Sequence, residues 1–258
     1  MGLVDVHIHL TDNAYSQYLN FLLAGFRAMN IMACSVSVDV ASSKRGIELF
    51  RQDRDIVKNF AGIHPEAASK EDLDEFRELF SLNVNMIDGV GEIGLDRTYD
   101  ERGIAAFDKQ KLVFGAMLQL AESETLPVSI HSRMALEDVL SLLPSYNLKG
   151  ILLHWFAGSK KQLARASDMG LYVSFGPALV YSDDKKALLQ HAPRDRILVE
   201  TDGPVAFSHC FDNLPASPTS FLVSVVAAAA KVLSLDYDEL VSILEKNSLS
   251  YLSTRRER

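Results

Sequence analysis

Cysteine is scarce in this 258-residue chain, which has only Cys34 and Cys210. Two cysteines give no disulfide framework, and such usage fits a reducing cytoplasm. Cys34 lies in an apolar run and is expected to be a small core residue. Long apolar runs are missing too. The longest, FLVSVVAAAAKVL at 221–233, is too short and too rich in alanine to cross a bilayer, and reads as a packed helix. No signal peptide is expected, because an acidic N-terminus enters the first strand-like run almost at once. Cations are in deficit: 26 Lys and Arg against 34 Asp and Glu leave a net charge of −8. That excludes broad, non-specific nucleic-acid binding, which needs clustered Lys and Arg. It leaves room for a small phosphate site, since divalent ions held by carboxylates reverse the local sign of the field. No G-x-G-x-x-G follows the first strand-like segment, so a dinucleotide-binding sheet loses support. Linkers, low-complexity segments and repeats are lacking as well, and a single domain over 1–258 is the simplest organisation.

What is present alternates. Short apolar runs at 3–9, 31–38, 57–64, 86–95, 127–132, 150–156, 171–176 and 196–202 read as eight strands. Helical patterns fall between them at about 15–29, 42–54, 71–82, 100–124, 133–143, 159–168 and 183–191. Two more follow at 218–233 and 236–252, the first with a start signal at Ser217–Pro218. Eight strands alternating with helices predict an α/β protein whose parallel sheet closes into a (β/α)₈ TIM barrel. An open, doubly wound sheet is the alternative.

In such a barrel the chemistry sits at the C-terminal ends of the strands. Five of the seven histidines fall there: His7 and His9 on strand 1, His64 on strand 3, His131 on strand 5 and His154 on strand 6. Glu92 lies near the end of strand 4, and Glu200 and Asp202 end strand 8. Residues two apart on a strand share a face, so His7 and His9 converge. Imidazole with carboxylate suits Zn²⁺, Mn²⁺ or Mg²⁺. His7, His9, Glu92 and Asp202 are the candidates for one ion. Glu92, His131 and His154 are those for a second, with the two oxygens of Glu92 bridging. Two ions a few ångströms apart clamp a phosphoryl group and activate a water. Asp202 then serves as ligand and base. Glu200 is read as a ligand, as a partner to one, or as a carboxylate paired with a nearby cation. Arg133 is the best phosphate clamp, because a guanidinium fork matches phosphate oxygens. Arg97 is a further cation near the mouth, and Lys160 and Lys161 read as a solvated helix start. Trp155, the single tryptophan, and Phe156 offer faces on which a base could stack.

In order, VDVHIH, GIHPE, GEIGLD, PVSIHSR, LLHWFAG, VSFGPAL and LVETDGP resemble the TatD family of metal-dependent deoxyribonucleases, over residues 4 to about 204. GEIGLD and ETDGP are the most specific of these motifs. The resemblance implies a (β/α)₈ barrel acting as a divalent-metal phosphodiesterase on DNA, single-stranded or at its ends, often as a 3′-to-5′ exonuclease. It implies metal roles for His7, His9, Glu92, His131, His154 and Asp202, and a substrate or catalytic role for His64. It also brings Glu200 forward as a catalytic residue beside Asp202, Glu92 and His64. HWFAG departs from the family's usual HCFSG by placing bulk beside His154. ETDGPVA differs from the usual ETDAP, and Thr11 replaces a customary acid.

Two other readings compete. One is a different barrel hydrolase, cleaving an amide or a small phosphoester. Many binuclear amidohydrolases carry a carbamylated lysine at the end of strand 4, whereas MIDGVGEIGLD has Glu92 and no lysine. The other is a catalytically silent binding barrel, or a subunit active only within a larger complex. The intact ligand set speaks against silence, while an acidic surface is compatible with protein partners.

Overall fold

The computed structural model describes residues 2–207, 209 and 218–253. Cys210 and Ser217 lie outside the described residues. Eight parallel strands pair in sequence order: β1 Leu3–Ile8, β2 Ile31–Val36, β3 Val57–Ala61, β4 Gly89–Gly94, β5 Val128–His131, β6 Ile151–Leu153, β7 Tyr172–Phe175 and β8 Ile197–Val199. The helices are α1 Leu19–Met29, α2 Val40–Leu49, α3 Leu73–Asn83, α4 Arg97–Glu101, α5 Phe107–Glu124, α6 Leu136–Leu142, α7 Lys160–Asp168, α8 Asp183–His191, α9 Pro218–Leu233 and α10 Tyr237–Leu252. The expected TIM barrel is what forms. One expected element is divided: 100–124 becomes α4 and α5. Gly103 between them takes a left-handed φ of 67°, which ends α4 and turns the chain.

Barrel closure is made just past β8. The Asp202 N–H donates to the His7 carbonyl at 2.9 Å, and the His9 N–H donates to the Gly203 carbonyl at 2.8 Å. Asp5 braces this seam, with Oδ1 accepting from the Thr201 N–H at 3.0 Å and Oδ2 from the Thr201 hydroxyl at 2.6 Å. The strands that carry the candidate ligands His7, His9 and Asp202 are thus tied together from inside.

Apolar side chains divide into two layers. Leu3, Ile8, Ala33, Val90, Val128, Leu153 and Val199 pack outward against helix residues such as Phe26, Phe114 and Leu222. Val4, Val6, Cys34, Val36, Phe60, Leu152, Tyr172 and Leu198 form the floor of the barrel with Tyr251 of α10. Cys34 is the buried core residue expected of it. Burying each large apolar side chain contributes about 1.5–3 kcal/mol. The Tyr251 hydroxyl donates to the Val128 carbonyl at 3.2 Å, so α10 plugs the N-terminal end without leaving a polar group unpaired.

Strict alternation fails at two places. Pairing of β1 with β2 shifts between Asp5 and Ile8, and that of β4 with β5 shifts between Val90 and Ile93. Such irregularities re-aim side chains. In β1 the shift lets Val6 join the floor while His7, next in sequence, reaches the histidine cluster at the mouth. In β4 it releases Glu92 from the pleat set by Val90. Gly94 follows with φ 141°, and a Cβ there would stand 2.0 Å from the His131 carbonyl oxygen. Only glycine lets GEIGLD lie against the end of β5.

Candidate metal centre

Glu92 is the hub. Its side chain is buried, and imidazoles surround both oxygens. Oε2 stands 3.5 Å from His7 Nε2 and 3.4 Å from His9 Nε2. Across from it, Asp202 Oδ1 lies 3.5 Å and 3.4 Å from the same two nitrogens. These separations are too long for charge-assisted hydrogen bonds, which run about 2.7–2.9 Å. They match the edges of a tetrahedron of donors about 2.0–2.2 Å from a shared centre, roughly 3.3–3.6 Å. His7 Nε2 is buried with no hydrogen-bond partner among the described residues. Its other nitrogen, Nδ1, lies 2.8 Å from Ser129 Oγ, which can take the ring proton and leave the Nε2 lone pair facing the carboxylates. This donor set fits a divalent cation.

The other oxygen, Oε1, faces a second group. It lies 3.0 Å from His131 Nδ1, 2.9 Å from His154 Nε2 and 3.5 Å from His64 Nε2. His131 is oriented from behind, with Nε2 2.9 Å from the buried Asp96 Oδ2. With a proton kept on Nε2 and donated to Asp96, Nδ1 is the atom that faces Glu92 and would give up its proton to an arriving metal ion. Asp96 is fixed in turn by the Thr98 N–H and hydroxyl on Oδ1, as the N-cap of α4. The carboxylate–histidine pairing is a common device for holding a metal-facing imidazole.

His64 is arranged differently. Its Nδ1 accepts the Glu66 N–H at 3.3 Å, so the neutral ring carries its proton on Nε2. Burial holds its pKa down at about 3, and the ring is neutral at physiological pH. It therefore presents a donor toward the cluster, where His7 presents a lone pair.

Electrostatics separate the remaining members. Burial and the neighbouring His154 push the His7 pKa down to about 4. Burial works against charge on His131 too, yet Asp96 and Glu92 hold it at about 9. Glu92 stays well below the usual carboxylate range despite its burial, because His64, His154 and His131 face it. A buried carboxylate ringed in this way demands cations, whether protons or metal ions.

Glu200 stands behind this arrangement. Its Oε1 accepts the Trp155 N–H at 2.8 Å and its Oε2 accepts the Ser174 hydroxyl at 2.6 Å. His154 Nδ1 is 4.0 Å from Oε2. No lysine or arginine is hydrogen-bonded to it among the described residues, and the basic side chain it faces is His154. Burial pushes its pKa up to about 7.

A family model described as TatD related DNase matches residues 4–253. The chain belongs to the TatD-related DNase family. It is a metal-dependent hydrolase acting on ester bonds. It is 30% identical over 254 residues to the uncharacterised metal-dependent hydrolase YabD of Bacillus subtilis, covering 95% of this chain and 97% of YabD. It is 26% identical over 258 residues to the 3′-5′ ssDNA/RNA exonuclease TatD of Edwardsiella piscicida, covering 95% of this chain and 97% of that protein. The crystal structure of YjjV, a TatD homologue from Escherichia coli, superposes with a TM-score of 0.86 at 21% identity, over 96% of this chain and 97% of YjjV.

Within this TatD-family barrel the outlying candidates fall as follows. Arg133 is exposed on the β5–α6 loop, two residues past His131, and its guanidinium makes no ion pair or hydrogen bond among the described residues. Arg97 is engaged elsewhere, paired with Asp138 and lying over the Phe107 ring. Lys160 and Lys161 are exposed in the first turn of α7, capped by Ser159 with Gln162. Phe156 is buried in the outer core, so it offers no stacking face. Trp155 is partly exposed. Sequence reasoning missed Asp5, Asp96, Ser129 and Ser174; the carboxylate closing GEIGLD was the one available signal.

Proposed function

We propose that the chain is a two-metal phosphodiesterase that shortens DNA from a free, single-stranded end, with 3′-to-5′ polarity. The observation that carries this reading is the position of Glu92, whose two oxygens face two different sets of imidazoles. His7, His9, Glu92 and Asp202 would hold one ion, and Glu92, His131 and His154 a second. Bound there, divalent ions supply a nucleophilic water at neutral pH and neutralise charge on the phosphoryl oxygens.

The chain's own residues do the rest. Asp202 receives the proton of the attacking water, and its carboxylate is held in place by a backbone tied to the His7 carbonyl. His64, with its Nε2 proton directed inward, donates to a phosphoryl oxygen. Arg133 is free to meet the flanking phosphate. Glu200 fixes the backbone beside His154 and so positions that ring. Support for the substrate comes from the exonuclease name carried by the Edwardsiella relative, which acts on single-stranded DNA and RNA by its description. No helix among the described residues is long and apolar enough to cross a membrane, and the low cysteine usage fits action in the cytoplasm.

The test is metal-dependent cleavage of end-labelled single-stranded DNA, run beside Glu92→Ala and a chelator. Progressive shortening from one end, abolished by both controls, is expected. Absence of cleavage with metal demonstrably bound would move the substrate to another ester.

A further inference from the structure

Trp155 is held far more tightly than a loop residue needs to be. It follows His154 at the end of β6 and takes a left-handed backbone, φ 42°, which bulky residues seldom adopt. Four polar contacts over-determine that conformation. Its N–H donates to Glu200 Oε1 at 2.8 Å and approaches Ser174 Oγ at 3.2 Å. The next residue, Phe156, donates its N–H to the Ser174 carbonyl at 3.1 Å, and its carbonyl accepts from the Lys185 ammonium. The indole itself stacks on Phe207, with ring centroids 5.3 Å apart and planes at 22°. Phe207 is in turn backed by Phe221 and Ala178, and all three are buried. Trp155 as a residue remains partly exposed.

Residues 155, 178 and 207 follow β6, β7 and β8, so this aromatic wall stands at the same end of the barrel as the metal centre. The wall offers a planar, apolar surface without a charge of its own, one residue from His154. A chain of net charge −8, with Arg97 already engaged, has few free cations at its mouth to attract a polyanion. Beyond Arg133 and bound divalent ions, affinity for a nucleic acid there draws on contacts that are not ionic.

We propose that Trp155, backed by Phe207, is a stacking platform for the terminal nucleobase of an unpaired strand. The inference rests on the nuclease reading above and names how that site selects its substrate. A base within a duplex is paired and stacked on both faces, whereas an unpaired terminal base has a face to give. A pre-ordered indole spends little conformational entropy when it is covered. The platform therefore favours single strands and frayed ends over duplexes, and tolerates any base, since every base has a π-face.

Trp155 is the only tryptophan, so its emission reports the contact directly. The probe is a short single-stranded oligodeoxynucleotide with nuclease-resistant phosphorothioate linkages, compared with the same strand ending in an abasic nucleotide, both with Mg²⁺ present. Saturable quenching by the first and much weaker quenching by the second are expected. In kinetics on cleavable strands, Trp155→Ala should raise KM roughly 5- to 150-fold for a base-bearing terminus, and leave KM for the abasic terminus unchanged. Trp155→Phe should recover most of the loss, and Phe207→Leu should reproduce part of it. Equal quenching by both strands, or a Trp155→Ala defect confined to kcat, would overturn the platform. Cleavage without base-dependent quenching sinks the platform and spares the nuclease; base-dependent quenching without cleavage does the reverse.

Discussion

Along β6, Leu152 belongs to the apolar floor of the barrel, and His154, two residues on, belongs to the polar mouth. Along β8 the same step separates Leu198 from Glu200, and along β1 the adjacent Val6 and His7 divide in the same way. The floor is sealed by Tyr251, whose single polar atom is satisfied by a backbone carbonyl. The mouth collects five imidazoles and several carboxylates, and among the described residues His7 Nε2 and His154 Nδ1 are buried there without hydrogen-bond partners. One end spends its burial on cohesion. The other keeps buried polar atoms such as His7 Nε2 open toward its carboxylates, where a bound cation would satisfy them. Stability and chemistry are thus segregated along single strands, as expected where the two faces of a barrel carry different duties.

This contrast can be broken at several points. The largest effect is expected from Glu92→Ala, which removes an oxygen from both donor sets at once. Turnover at saturating metal should fall well beyond the roughly 10–100-fold typical of losing an orienting partner, with the circular-dichroism spectrum unchanged. Asp96→Asn should act on one set only. Calorimetric titration should show one class of metal site weakened by roughly 10–100-fold and the other unaltered. At the floor, Leu198→Ala should lower folding stability by about 2–5 kcal/mol, while kcat per folded molecule stays the same. Equal losses of kcat from floor and mouth variants would erase the distinction.

The smallest effect concerns pH. Burial lowers the Lys185 pKa from 10.5 to about 8 in the folded chain. The unfolded chain keeps that proton up to the higher value, so it binds more protons between the two, and stability rises with pH across this window. Lys185→Met should flatten urea midpoints between about pH 8 and 10.5. A slope the variant leaves intact would assign that rise to other groups.

Much of this was legible beforehand. All eight strands appear where apolar runs fall, because a parallel barrel buries both faces of each strand and writes continuous hydrophobic segments. The histidines at the strand ends also stood out, since nothing in a packed barrel calls for imidazole there. What stayed hidden depends on register and on contacts between distant residues. The slips at Asp5–Ile8 and Val90–Ile93 leave no mark in composition, yet they aim His7 and Glu92. Ser129 touches His7 across 122 positions, and Glu200 holds the Trp155 backbone across 45. The stacking partner of Trp155 arrives from the far side of β8, where sequence spacing gives no hint of Phe207.

The central claim, that Glu92 divides the mouth into two metal sites, is tested most directly by counting ions. Equilibrium dialysis against Mn²⁺ should give two ions per wild-type chain. His9→Ala, which touches only the Oε2 side, should leave one, and His131→Ala, which touches only the Oε1 side, should leave the other. A single ion in the wild-type chain, or two that survive both substitutions, would contradict the account.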